Sequence, residues 1–107
     1  MPFDALEMSL TTLQLLAPLE VKVRQRRKSL ADEISRAAES IALNTSEARA
    51  RAGLDRADLF RRAAGSAGEL TTALRIAQAR GYITAEDHAV VDAALDRVRA
   101  MLWRLTH

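Results

Sequence analysis

Four windows of apolar residues, each stepping by three and four, constrain this chain more than any other feature. The first is Phe3, Leu6, Leu10, Leu13 and Ala17; the second is Leu30, Ile34, Ala37, Ile41, Asn44 and Ala48. The third is Leu59, Ala63, Ser66, Leu70, Ala73 and Ala77; the fourth is Val91, Ala94, Val98, Met101 and Leu105. This spacing follows the 3.6-residue turn of an α-helix, so each stripe must be buried against another helix. Leu16, Phe60, Leu74, Val90, Leu95 and Leu102 widen the stripes to bundle width. Strand-like alternation occurs at Leu19, Val21 and Val23, with no second strand to pair with.

The punctuation agrees with four helices. Ser29 is placed to cap the second, with Asp32 and Glu33 where the helix dipole favours anions. Gly53 ends that helix, and Asp55 is placed to cap a third that runs to Arg80. Gly81 stands where a left-handed residue is wanted after a helix. Thr84 with Asp87 resembles a capping box at the start of a fourth helix near Ala85. Pro18 removes a backbone donor, which predicts a kink in the first helix and continuation to about Arg26. The alternative is a loop from Ala17 to Lys28. Connections at 52–54 and 81–84 are so short that the last three helices must be antiparallel neighbours. The expected fold is an all-α, antiparallel up-down four-helix bundle, with residues 1–107 as one domain.

Composition removes several function classes. There is no Cys, hence no disulfide, thiolate metal site or Cys nucleophile. The two His, His88 and His107, stand in no Glu-x-x-His motif of the kind di-iron bundles use. Glu47 and Glu69 are therefore better taken as structural carboxylates than as an acid–base pair. No apolar run approaches the roughly 20 residues that span a bilayer. The start MPFDALEM carries acids where a signal peptide carries bases, so a cytoplasmic protein is expected. No catalytic residue, metal or cofactor is expected.

The net charge of +2 is too small to announce a nucleic-acid binder, but it is unevenly spread. Residues 20–28 set Glu20 against Lys22, Arg24, Arg26, Arg27 and Lys28. With Arg49, Arg51, Arg61 and Arg62 these could form a basic band for phosphates. The competing reading is a solvated helix end with ordinary ion pairs. Other positions are read structurally. Asn44 lies in an apolar seam and needs a partner, with Ser40, Ser66 and Glu69 as the nearest choices; together they form a polar layer that sets helix register. Gly65 and Gly68 sit inside a helix and make a smooth patch where another backbone can come close, so that Gly65→Leu should disrupt folding or assembly by overpacking. Trp103 belongs to the core or to a protomer contact, and Tyr82 packs beneath the last turn. Leu10, Leu13, Leu15, Leu16 and Leu19 place apolar residues on more than one face of the first helix. Such a surplus favours an oligomer.

Two blocks also resemble a known family. Residues 30–48, LADEISRAAESIALNTSEA, are similar to the pattern L-x-x-Q-x-x-R-A-x-x-S-I-x-x-N-I-x-E-G at Leu30, Arg36, Ala37, Ser40, Ile41, Asn44 and Glu47. Residues 60–83, FRRAAGSAGELTTALRIAQARGYI, resemble the family's next block at Phe60, Ala64, Gly65 or Ser66, Glu69, Leu70, Leu74, Ala77, Gly81 and Tyr82. The family is the four-helix-bundle proteins encoded by rRNA intervening sequences, with the accessory variability determinants of diversity-generating retroelements among its relatives. This chain departs from the pattern at Ser9 (about where the family has Trp), Glu33, Thr45 and Ala48. The resemblance implies a non-enzymatic bundle that assembles with itself, a pentameric ring being the favoured form. It also implies RNA or DNA, and a reverse transcriptase, as candidate partners.

Overall fold

The computed structural model describes residues 5–107. It contains α1 (Ala5–Arg26), α2 (Lys28–Arg49), α3 (Gly53–Ala79) and α4 (Ala85–Thr106). Each helix packs against two others: α1 and α3 both lie beside α2 and α4. The chain thus runs up, down, up and down around a square, as the seams and short connections required. The connection between α1 and α2 leaves the same end of the bundle as that between α3 and α4. We call this the joint end and the opposite one the far end.

The core is built from the predicted stripes in α2, α3 and α4. Ile34, Ala37, Ile41 and Ala48 of α2 are buried, as are Ala63, Ser66, Leu70, Ala73 and Ala77 of α3 and Val91, Ala94 and Val98 of α4. Leu16, Leu74, Leu95 and Leu102 have no more than 1% of their surface exposed. Each such leucine contributes about 1.5–3 kcal/mol on removal from water. At the edge of α4 the seam fails: Val90 and Leu105 are exposed rather than buried.

In α1 the seam lies on a different face from the one the leucine spacing indicated. Ala5, Met8, Ser9, Thr12, Leu16, Leu19 and Val23 face the core, while Leu10 is exposed and Leu13 half-buried. Phe3, the first residue of the expected stripe, lies outside the described residues. Leucines on every side made two seams look equal. Two hydroxyls decide it: Ser9 Oγ donates to the Leu6 carbonyl at 2.8 Å, and Thr12 Oγ1 to the Met8 carbonyl at 2.8 Å. A hydroxyl satisfied by its own helix is cheap to bury. The helix continues through Pro18 to Arg26, so the loop alternative does not occur.

Two of the expected caps are also displaced. α2 begins at Lys28 with Arg27 as its N-cap, so Ser29 is inside the helix and makes no cap. α3 begins at Gly53 with Ala52 as its N-cap, which leaves Asp55 in the first turn rather than capping it. Gly53 takes a φ of 63°, turning the chain and starting the helix together. The α3–α4 turn forms as expected. Gly81 has a φ of 76°. The Tyr82 N–H donates to the Ala77 carbonyl at 2.8 Å and the Gly81 N–H to the Gln78 carbonyl at 2.9 Å, a Schellman motif. Thr84 and Asp87 then close a capping box, with bonds of 3.0 and 3.1 Å.

Candidate nucleic-acid interface

The nine basic residues singled out by sequence do not form one band. Lys22, Arg24, Arg26, Arg27 and Lys28 gather at the joint end, where α1 stops and α2 starts. Arg49 and Arg51 sit at the far end, and Arg61 and Arg62 in the half of α3 nearest it. The 22 residues of α2 keep Arg49 and Arg51 about 33 Å from the joint-end run at 1.5 Å per residue, and α3 keeps Arg61 and Arg62 roughly 25 Å from that end. Antiparallel packing separates what the list of positions had joined.

Within each group most cations are paired. At the joint end the Lys22 Nζ lies 2.8 Å from Asp87, tying α1 to α4. Arg24 and Lys28 share Asp32, at 2.8 and 2.9 Å. Hydrogen bonds from Lys28 and then Arg24 hold the Asp32 carboxyl below its ordinary value. Lys22, with the Thr84 backbone N–H, does the same for Asp87. In the far half Arg51 pairs with Glu47 at 3.1 Å and Arg62 with Asp58 at 3.0 Å, and Arg49 is also engaged, while the exposed Arg61 has no carboxylate within ion-pair distance among the described residues. These exposed pairs are weak stabilisers but real competitors for phosphate.

Three exposed cations at the joint end have no carboxylate within ion-pair distance among the described residues: Arg26, Arg27 and Arg80. Arg26 lies over the Tyr82 ring, its guanidinium carbon 5.2 Å from the centroid. Arg27 Nε donates to Ser29 Oγ at 3.3 Å. Arg80 is the C-cap of α3 and precedes the Gly81–Tyr82 turn. Sequence reasoning placed neither Arg80 nor Tyr82 beside the run. The signal was available in the topology, since the C-termini of α1 and α3 must share an end in an up-down bundle. Because Arg26 covers one face of Tyr82, the group suits phosphate contact better than base stacking.

The expected polar layer is partly assembled. Ser66 Oγ donates to Ser40 Oγ at 2.8 Å across α3 and α2, and Asn44 Nδ2 donates to Ser40 Oγ at 3.0 Å. Glu69 is not in it. Glu69 reaches Arg36 at 2.7 Å on the surface, and Arg36 also holds Glu33 at 2.8 Å. These contacts, Arg36 foremost, lower the Glu69 carboxyl below its usual range. A Cβ built at Gly65 or Gly68 meets nothing within 4 Å, so no described helix of this chain approaches them. Trp103 is 61% exposed, which removes the core alternative, and its ring stacks on His107 at 3.4 Å between centroids. Among the described residues no group of three His, Asp or Glu could hold a metal ion. No described helix is long and apolar enough to cross a membrane.

The fold matches a crystal structure of a protein of unknown function from the S23 ribosomal protein family of Bacteroides thetaiotaomicron VPI-5482. The TM-score is 0.85 at 20% sequence identity, covering 95% of this chain and 97% of that one. No curated protein matches the chain. The model of the 23S rRNA-intervening sequence protein family matches residues 5–104, nearly the whole length. This chain belongs to the 23S rRNA-intervening sequence protein family.

Proposed function

We propose that this protein is a non-enzymatic, self-associating adaptor that offers the joint end of its bundle to nucleic-acid phosphates. The observation that carries the reading is the grouping of Arg26, Arg27 and Arg80 at one end without carboxylate partners. Arginine presents a planar fork that fits phosphate oxygens, and three such forks on one end give a small, sequence-blind contact. The membership in an rRNA-intervening-sequence family is consistent with an RNA ligand.

Self-association draws on the outer face of α1. Between Glu7 and Glu20 that helix carries no charged residue. Its exposed positions there are Leu10, Gln14, Ala17 and Pro18, followed one turn on by Val21, which is 59% exposed. Gln14 and Pro18 border a groove of about 330 Å³ with Val90 of α4, itself exposed. A neutral, partly apolar strip of this kind suits a second copy of the chain, and a closed ring of five is the form we favour.

The test is binding of a short RNA and a short DNA duplex at two salt concentrations, alongside the mass in solution. Binding should weaken with salt, with a slope of about −0.9 per phosphate neutralised on duplex DNA. The absence of any shift at low salt and micromolar protein removes the nucleic-acid reading. A monomer at all accessible concentrations removes the assembly.

A further inference from the structure

The connection between α1 and α2 is a single residue. Arg27 alone is extended, with φ −157° and ψ 102°, between helices that end at Arg26 and start at Lys28. Connections of two to eight residues are usual between bundle helices. No backbone cap holds this break; the local side-chain contacts across it are the exposed Arg24–Asp32 pair and the Arg27–Ser29 hydrogen bond. The N-cap of α2 makes no side-chain hydrogen bond, and the first turn of α2 has no acidic residue. The joint contains no Gly or Pro: residues 24–30 read RQRRKSL, all of them tolerated in a helix.

The hydrogen bonds around the joint are already those of one helix on either side. The Arg27 N–H donates to the Val23 carbonyl at 2.7 Å, and the Ala31 N–H to the Arg27 carbonyl at 3.2 Å. Between them, the N–H groups of Lys28, Ser29 and Leu30 and the carbonyls of Arg24, Gln25 and Arg26 have no backbone partner. Straightening Arg27 joins these groups pairwise and makes one helix from α1 through α2. It also pulls α1 out of its own bundle. The core face of α1, with Met8, Leu16, Leu19 and Val23 buried, then needs another seat. The seat with the right shape is the cleft between α2 and α4 that the same helix vacates in a second copy.

We propose that this cleft accepts α1 of a second copy of the chain, giving a dimer that exchanges α1 about a straightened Arg27. The exchanged dimer keeps every buried α1 contact and recovers the backbone bonds at the joint. Short hinges under constraint are where such exchange is expected. The proposal rests on the joint and not on the nucleic-acid reading. It is also distinct from association through the outer face of α1, which leaves each α1 in its own bundle.

The chain supplies its own reporter. It has two lysines, Lys22 and Lys28. Lys28 pairs with Asp32 within α2, whereas Lys22 pairs with Asp87 between α1 and α4 at 2.8 Å. The experiment refolds equal amounts of ordinary and ¹⁵N-labelled full-length protein together at high concentration. Carbodiimide then links lysine to carboxylate, and mass spectrometry reads the linked peptides. Exchange predicts mixed-label Lys22–Asp87 peptides in about half of the dimer's linkages, the share that random pairing of the two labels gives. The Lys28–Asp32 peptides should stay single-label. Arg27→Ala should raise the fraction of the protein found as exchanged dimer severalfold, and inserting Asn-Gly after Arg27, which relieves the turn, should lower it. Lys22–Asp87 peptides that remain single-label, in a dimer, in a larger assembly or in a monomer, overturn the proposal; in an assembly they leave the outer-face reading standing.

Discussion

Two turns lie side by side at the joint end, and they are made in opposite ways. The α3–α4 turn is fastened at every step: Gly81 at positive φ, a Schellman pair onto Ala77 and Gln78, and the Thr84–Asp87 capping box. The α1–α2 joint has one extended residue, no capping hydrogen bond and a run of cations. The two are coupled, since Lys22 reaches Asp87 and Arg26 lies over Tyr82. A rigid turn thus serves as the platform on which the joint's charges are displayed. Backbone and capping hydrogen bonds fix the first turn, whereas seam packing and exposed side-chain contacts fix the second.

The largest effect should come from Gly81→Val against Arg27→Val. A β-branched residue at a φ of 76° should cost about 2 kcal/mol, from the strain of a left-handed backbone. At the extended Arg27 the same residue should change stability by less than about 0.5 kcal/mol. Denaturant midpoints check both, and equal losses would erase the contrast. Next, Thr84→Ala should lose about 1 kcal/mol with its cap, while Ser29→Ala should lose almost nothing. A comparable gain should appear away from both turns. Thr45 is 1% exposed and its hydroxyl has no hydrogen-bond partner. Thr45→Val should therefore stabilise by about 1 kcal/mol, the cost of an unmade buried bond. A loss on calorimetry would mean that the hydroxyl has found a partner.

The smallest effects concern charge. Asp32, Glu69 and Asp87 have carboxyls held below their ordinary values by cationic partners. Their stabilisation is present above the unfolded carboxyl range near pH 4 and is lost as pH falls through the lower folded values. Unfolding midpoints should drop below pH 4, less so in Asp87→Asn, which has no such carboxyl to lose. Asp32→Asn should act on binding instead. It frees Arg24 and Lys28, so affinity for RNA should rise and its salt dependence steepen.

Much of the fold was legible in the sequence because three of the seams contain few apolar alternatives. Ile34, Ile41, Leu70 and Val98 each had one face to occupy, and they occupy it. The α1 seam was not legible for the converse reason. Leu10 and Leu13 competed with Met8, Thr12 and Leu16, and only the self-satisfied hydroxyls show why the second set wins. Ser29 and Asp55 had cap-forming side chains, but packing sets the helix starts two and three residues earlier. Of the candidate interface, the run 22–28 was visible as charge. Arg80 and Tyr82 joined it only through topology, which a linear reading of charge ignores. Gly65 and Gly68 were assigned a packing role from residue type alone; both face outward, so that role is not filled by another described helix of the same chain.

The account turns on the joint end being where phosphate binds. The most direct measurement compares two sets of substitutions in RNA binding across a salt titration. One set is Arg26→Gln, Arg27→Gln and Arg80→Gln; the other is Arg51→Gln, Arg61→Gln and Arg62→Gln. The first set should weaken binding strongly and flatten its salt dependence by two to three phosphates, roughly one for each arginine. The second should leave both nearly unchanged. Equal losses from the two sets, or a larger loss from the second, would contradict it.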